Sequence, residues 1–145
     1  MDAAAGPYNV SVWTQAAVPT VGAVHFTVAV TDPETQRPLL YHEVAVRMTS
    51  PADAELVLAG RATHDFAVNK LYYEVDLDVP APGMWDVTVS VAGPAGEGAA
   101  RFTLPVEGAR PLDFTAWGAA ALGVLLVGAL IATTLRRAVR NRGVR

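Results

Sequence analysis

A stretch of 22 residues without a charged side chain, Phe114–Leu135, constrains this chain more than any other feature of its sequence. As an α-helix it would be about 33 Å long, which matches a hydrocarbon core of about 30 Å. A helix buried in a soluble protein would show a polar stripe, but the threonines of this stretch lie near its ends. Trp117 stands near one end, and Arg136 and Arg137 follow the other, as expected of residues that anchor a helix at the membrane interfaces. The sequence therefore predicts a single transmembrane helix over 114–135.

The charges of the chain divide at the same segment. Residues 1–113 hold all fourteen acidic residues and six basic ones, a net charge of −8, whereas residues 114–145 hold five arginines and no acid. Basic residues next to a membrane helix stay in the cytoplasm, which predicts a cytoplasmic tail over 136–145 and an N-terminal part outside the membrane. The N-terminus lacks a signal-peptide pattern, so we expect that a signal peptide has been removed or that the sequence is trimmed. In the alternative, a tail-anchored protein with a cytosolic domain, five arginines would have to cross the bilayer.

Composition excludes several classes of protein. The chain has 145 residues, enough for one domain, and no cysteine, which excludes disulfides and thiolate metal centres. Its content of 52% hydrophobic residues argues against a disordered chain. Residues 1–113, at a net charge of −8, are not suited to phosphate contacts, so we expect no nucleic-acid partner.

Residues 8–107 alternate between apolar and polar side chains, which is typical of half-buried β-strands. The predicted strands are Tyr8–Trp13, Ala23–Thr31, Leu40–Thr49, a weaker Glu55–Leu58, Leu71–Val79, a strand from Trp85 to Val91, and Ala100–Val106. Pro105 suits an edge strand because it cannot donate a ladder hydrogen bond. We therefore predict a mainly β protein, an immunoglobulin-like seven-stranded sandwich over 1–107, joined by the linker 108–113 to the membrane helix.

Some details of this pattern are specific enough to test. On the strand Leu71–Val79, the odd-numbered residues, Leu71 included, are predicted to face the core. The cluster Gly60–Asp65 is predicted to be a loop, and Gly93–Gly98 is predicted to be a hairpin loop.

The second half of the predicted sandwich resembles a known family. Residues Asn69–Val106 run from a polar-alternating strand into the turn Pro82-Gly83-Met84-Trp85, then into a valine-rich strand and a short last strand. This order resembles the YtkA-like and FixH-like domains, which are small extracytoplasmic sandwiches commonly tethered by one membrane helix. The resemblance implies such a sandwich and, for FixH-like proteins, a role in the assembly and copper supply of a haem–copper oxidase. In FixH-like proteins the helix usually precedes the sandwich, whereas here the predicted helix follows it.

Metal binding and catalysis have few candidates in the sequence. The possible ligands are His25, His42 and His64, with Met48 and Met84 as soft partners for Cu(I). No two of them have the short spacing of a metal motif, so we expect no cofactor, and His64 and Met84 are the residues to test if copper binds. In the other interpretation the three histidines are unrelated and structural. The sequence has neither a nucleophile elbow nor a phosphate-binding loop, so we expect no enzyme activity.

One predicted strand is lined with acidic residues. Glu74, Asp76 and Asp78 share its outer face, and Asp86 follows in the next strand. Together they predict a negative surface that could steer a basic partner, such as a soluble electron carrier. The alternative is that these acids serve solubility alone.

Small residues are frequent in the predicted membrane helix. Ala119 and Gly123 form a small-xxx-small pair, as do Gly128 and Ala132, and such pairs permit close approach of another helix. A helix that only anchors a domain in the lipid bilayer has no need of this surface. We therefore predict that the helix packs against integral membrane protein subunits. The alternative is that these small residues only reflect a chain that is rich in alanine throughout.

These features predict a non-catalytic, single-pass accessory subunit of a larger bacterial membrane complex. By family analogy, respiratory or photosynthetic electron transfer is the favoured setting. The subunit would stabilise the assembly or shape a docking surface on the outer face of the membrane. Two alternatives stay open: a membrane-tethered copper-handling assembly factor of the FixH or YtkA type, and a free-standing binding domain with a simple anchor.

Overall fold

The structure is a computed structural model that describes residues 1–50, 52–65 and 67–109. Within these residues, eight strands form two antiparallel sheets of four strands each. The strands are Asp2–Ala5 (β1), Tyr8–Thr14 (β2), Gly22–Thr31 (β3), Glu43–Thr49 (β4), Val57–Ala62 (β5), Tyr73–Val79 (β6), Gly83–Gly93 (β7) and Gly96–Val106 (β8). The first sheet has the order β1-β2-β3-β6, and the second has the order β5-β4-β7-β8.

The described residues contain one strand more than the sequence predicted. β1 pairs with β2 from Asp2 opposite Ser11 to Ala5 opposite Tyr8, and Gly6, with a φ of 59°, makes the turn between them. The sequence of β1 is an aspartate followed by three alanines, so it has no β-branched or aromatic residue to indicate a strand. The prediction of a mainly β protein is confirmed, and the count of seven strands is wrong.

The core lies between the two sheets and is rich in valine. Alternate residues of each strand point inward, as Val24, Phe26 and Val28 do on β3. The largest fully buried side chains are Trp85, Tyr8, Tyr73, Phe26 and Met48. Burial of one large apolar side chain contributes about 1.5–3 kcal/mol, so these layers supply the main stabilising term of the sandwich.

Two strand boundaries differ from the prediction. β5 is Val57–Ala62 rather than Glu55–Leu58, because residues predicted to form a loop pair with β4 as far as Ala62. β6 begins at Tyr73, and Leu71, which was predicted to face the core, precedes the strand and is exposed. The partner strand decides where each strand begins and ends, and a single segment of sequence does not contain that information.

The last hairpin is tighter than predicted. Gly93 pairs with Gly96, so the predicted hairpin loop 93–98 is a two-residue turn. Pro105 lies on β8, the last strand of its sheet order, opposite Met84 of β7. The prediction that Pro105 occupies an edge strand is confirmed.

The predicted transmembrane helix, 114–135, and the basic tail, 136–145, lie outside the described residues, as does most of the predicted linker. Among the residues that the structure does describe, no helix is long and apolar enough to cross a bilayer.

Candidate functional site

All three histidines of the chain lie along one side of the sandwich. Two open cavities of about 330 and 340 Å³ adjoin there; His42 and His64 line the first, and His25 lines the second. Both cavities are also lined by Arg61, Thr63 and Asp65. They follow the line where β5 of one sheet meets β6 of the other, which is called the seam below. The fold therefore brings together histidines that stand far apart in the sequence.

The seam is held together by main-chain hydrogen bonds between the two sheets. Thr63 N donates to Glu74 O at 3.0 Å, and Glu74 N donates to Thr63 O at 2.8 Å. The side chain of Lys70 donates to the main-chain oxygens of His64 at 2.8 Å and Asp65 at 3.1 Å. The chain that follows β5 is thereby fixed against the start of β6.

His64 bridges two segments of the chain. Its Nδ1 lies 2.8 Å from Tyr72 O, and its Nε2 lies 2.8 Å from Leu40 O. The ring also packs against that of Tyr73, at a centroid distance of 4.0 Å. Since both ring nitrogens face carbonyl oxygens, neither presents a lone pair to a metal ion in this arrangement.

The two residues proposed for copper, His64 and Met84, lie near opposite ends of the second sheet. Val44 of β4 is opposite both Ala62, at the end of β5, and Val91 of β7. Met84 is seven residues from Val91 along β7, which corresponds to about 23 Å at about 3.3 Å per residue. The fold does not bring His64 and Met84 together.

His42 and Tyr73 form a buried polar contact beside His64. The Tyr73 hydroxyl donates to Leu39 O at 2.8 Å and accepts from His42 N at 3.0 Å. Burial raises the pKa of Tyr73, and the hydrogen bond from His42 N opposes this increase. The His42 ring packs edge-on against Tyr8, at a centroid distance of 5.0 Å, and its buried Nδ1 has no hydrogen-bond partner within the described residues. The contacts found for His42 and Tyr73 are those of structural residues.

His25 lies on the outer face of the first sheet, as its position in the alternating pattern predicted. Its Nδ1 is 2.8 Å from Asp76 Oδ1, and its Nε2 is 3.8 Å from Glu74 Oε2. Asp78 follows on the same strand, β6, but Asp86 lies on β7 of the other sheet. The acidic surface predicted from the sequence is therefore smaller than expected, because Asp86 does not belong to it.

Two aromatic rings stand on the same face as these acids. Trp13 of β2 is opposite Thr27 of β3, which is opposite Glu74 of β6. Trp13 is 46% exposed, and its ring packs against that of Tyr72 at a centroid distance of 5.8 Å. Sequence reasoning passed over Trp13, although the alternation in β2 places it outward, where a tryptophan is unusual. The set Trp13, His25, Tyr72, Glu74 and Asp76 is called the acid–aromatic face below.

The remaining predicted site residues have other positions. Met48 is buried in the core. No group of three or more His, Cys, Asp or Glu side chains in the described part of the chain is arranged to hold a metal ion. The residues predicted to pack or anchor the membrane helix lie outside the described residues; they are Ala119, Gly123, Gly128, Ala132, Trp117, Arg136 and Arg137.

No protein-family profile matches the chain, and no curated protein matches it in sequence. Among solved structures, the chain is similar to the soluble domain of PmoD from Methylocystis sp. ATCC 49242 (Rockwell), with 14% sequence identity and a TM-score of 0.48. The similarity covers 73% of this chain and 96% of that one. The resemblance to YtkA-like and FixH-like domains is not confirmed by these comparisons.

Proposed function

We propose that this chain is a non-catalytic accessory subunit of a bacterial membrane complex and that its acid–aromatic face docks a basic partner protein. The observation that carries the proposal is the placement of two aromatic rings, Trp13 and Tyr72, on the same sheet face as two carboxylates, Glu74 and Asp76. The histidines of the seam support it, because the contacts found for His42 and His64 lie within the fold.

A cationic side chain is complementary to both parts of the face. Carboxylates attract Lys and Arg at long range and accelerate encounter. An exposed aromatic ring binds a guanidinium group through a cation–π interaction of about 0.5–1 kcal/mol. Tryptophan and tyrosine are also enriched in protein interfaces, where a rigid ring buries much area at little cost in entropy. A basic soluble electron carrier is one partner with this chemistry.

The membrane part of the proposal rests on the sequence. The uncharged segment 114–135 would anchor the chain as a single helix, with the arginine-rich tail in the cytoplasm and the sandwich on the outer side. The small residues of that segment would pack against integral subunits of the complex. Under this arrangement the acid–aromatic face is presented outside the membrane, where a soluble partner reaches it.

The copper-handling alternative has no specific observation in its favour. Both ring nitrogens of His64 face carbonyl oxygens, and Met84 lies near the far end of the sheet. We therefore include no cofactor in the proposed function.

The test is binding of a short poly-arginine peptide to the purified full-length chain in mild detergent at low ionic strength. The double variant Glu74→Gln/Asp76→Asn should raise the Kd about tenfold, because it removes both carboxylates of the face. The single variant Trp13→Ala should raise the Kd about threefold to fivefold, because it removes one cation–π contact. The matched control is Asp86→Asn, which removes an exposed carboxylate from the other sheet and should leave the Kd within about twofold. Added salt should weaken binding to the wild-type chain.

Two results would refute the docking face. In the first, Asp86→Asn weakens binding as much as the double variant does, which would mean that overall charge drives association. In the second, Trp13→Ala leaves the Kd unchanged, which would remove the aromatic half of the site.

A further inference from the structure

We propose that His64, when both of its ring nitrogens carry a proton, binds the main chain at Tyr72 and at Leu40 and thereby sets the position of Tyr72 on the acid–aromatic face. This pair of hydrogen bonds is called the clasp below. The consequence for docking rests on the proposed function, whereas the clasp itself rests on the contacts of His64. The clasp would make docking tighter when His64 carries two ring protons.

The contacts of His64 require both of these protons. Each ring nitrogen lies 2.8 Å from a carbonyl oxygen, Nδ1 from Tyr72 O and Nε2 from Leu40 O. A carbonyl oxygen only accepts hydrogen bonds, and a neutral imidazole carries a single N–H. The protonated ring therefore holds both carbonyls, whereas the neutral ring holds one and turns a nitrogen lone pair toward the other oxygen.

The two carbonyls belong to segments that meet at the edge of the acid–aromatic face. Tyr72 directly precedes β6, and its ring packs against Trp13. Leu40 lies in the connection between β3 and β4. When His64 holds both carbonyls, the main chain at Tyr72 is tied to that connection, and the ring pair is ordered before a partner arrives. Such preorganisation increases affinity because less entropy is lost on binding.

Other titratable and charged groups surround His64, so the experiment must distinguish the effects of their ionisation from the effect of His64. Tyr73 faces it from β6 and Arg61 lines its cavity from β5, while Asp65 and Lys70 belong to its own segment. His42, ahead of β4, shares the cavity. Since histidine is the side chain that ordinarily changes charge between about pH 5 and pH 8, His42 and the face residue His25 are the neighbours that need controls.

The clasp is tested first on the full-length chain in mild detergent, by NMR of the histidine rings and of amide hydrogen exchange. In the state that holds both carbonyls, the ring signals of His64 should show a proton on each nitrogen. After correction for intrinsic exchange, the amides of Thr63 and Glu74, which join the seam, should be about tenfold better protected at about pH 5.5 than at about pH 8. His64→Gln should lose this pH dependence, and His25→Gln and His42→Gln should retain it. A singly protonated His64 ring at about pH 5.5, or equal protection at both pH values, would overturn the clasp.

The effect on docking is tested by comparing variants at one pH, so that the titration of other groups cancels. His64→Gln should raise the Kd for a short poly-arginine peptide about tenfold relative to wild type at about pH 5.5, and less than about threefold at about pH 8. An equal ratio at both pH values would show that His64 does not control the face. If wild type fails to bind the peptide at either pH, the proposed function fails, and the NMR experiment alone then decides whether the clasp exists.

Discussion

Gly60 of β5 and Val75 of β6 lie so close together that no side chain fits at position 60. A Cβ atom placed on Gly60 would lie 2.6 Å from Val75 Cγ2 and 3.0 Å from Leu77 Cδ2. A valine side chain is short and rigid about χ1, so it cannot swing away to make room. The two sheets close at the seam because β5 carries a glycine at this point.

Replacement of Gly60 by alanine should therefore destabilise the sandwich. We expect Gly60→Ala to lower the free energy of unfolding by about 1–3 kcal/mol, as is typical of overpacking in a core. Urea unfolding followed by tryptophan fluorescence measures this change. The matched control is Gly108→Ala, because the same added atom would meet nothing within 4 Å there.

The identity of the clashing neighbour is also testable. Val75→Ala removes the methyl group that the new Cβ would meet, so Gly60→Ala should cost less in that background than in wild type. A double-mutant cycle should give a coupling free energy of about 0.5–3 kcal/mol. Additive effects of the two substitutions would mean that Gly60 is required for a reason other than Val75.

The hydroxyl of Tyr73 should contribute to stability in a way that depends on pH. Tyr73→Phe removes the donor to Leu39 O and the acceptor of His42 N, so we expect a loss of about 1–3 kcal/mol near neutral pH. Tyr41→Phe is the control, since Tyr41 is 94% exposed. A loss of equal size in both variants would contradict a specific role for the buried hydroxyl.

At alkaline pH, the free energy of unfolding should also depend on Tyr73. Burial raises the pKa of Tyr73 in the folded state above its ordinary value of 10.0. A raised pKa means that the stabilising contribution is complete below about pH 10 and is lost as the pH rises through the higher folded value. Unfolding free energies measured from about pH 9 upward should therefore fall more steeply for wild type than for Tyr73→Phe.

Asp32 should make the turn after β3 sensitive to acid. The main-chain N–H of Thr35, then its hydroxyl, and also the N–H of Glu34 donate to Asp32 Oδ1 and hold the pKa of that carboxyl below its ordinary value of 3.8. A lowered pKa stabilises the fold above about pH 4, and this contribution is lost as the pH falls through the folded value. Asp32→Ala should have a lower Tm than wild type near neutral pH, and the difference should shrink in acid. A difference that stays constant with pH would contradict this role.

The alternating pattern of the sequence was sufficient to predict the sandwich, because burial of every second residue is itself the cause of the fold. Val24, Phe26 and Val28 face the core as predicted. β1 escaped prediction because its alanines are strand residues only through pairing with β2. The end of β5 was not predicted for a related reason. A glycine such as Gly60 indicates a loop in a sequence, and only the close approach of Val75 explains why a strand has a glycine at this position.

The candidate site was harder to predict from the sequence than the core was. The acid–aromatic face and the contacts of His64 draw their residues from strands β2, β3 and β6 and from the connections β3–β4 and β5–β6. No local spacing in the sequence relates His25 to Asp76 or His64 to Leu40. Cross-strand register places the first pair opposite each other, and the end of β5 brings His64 to the second contact. The alternating acids of β6 indicated the acidic half of the face from sequence, and the outward position of Trp13 in the period-2 pattern is the signal that could have indicated its aromatic half.

The proposed membrane contact is open to a direct test at Gly123. If 114–135 is a helix, Gly123→Leu fills the space that the small residues Ala119 and Gly123 would leave for a neighbouring helix. Overpacking by about 1–3 kcal/mol should weaken retention of the chain in its complex about fivefold or more in mild detergent. The control, Val124→Leu, adds one methylene about 100° away around the helix and should be retained. The circular dichroism of both variants should keep its β-sheet signal, since the sandwich has its own core, and equal retention of the two variants would show that the predicted helix surface is not the contact.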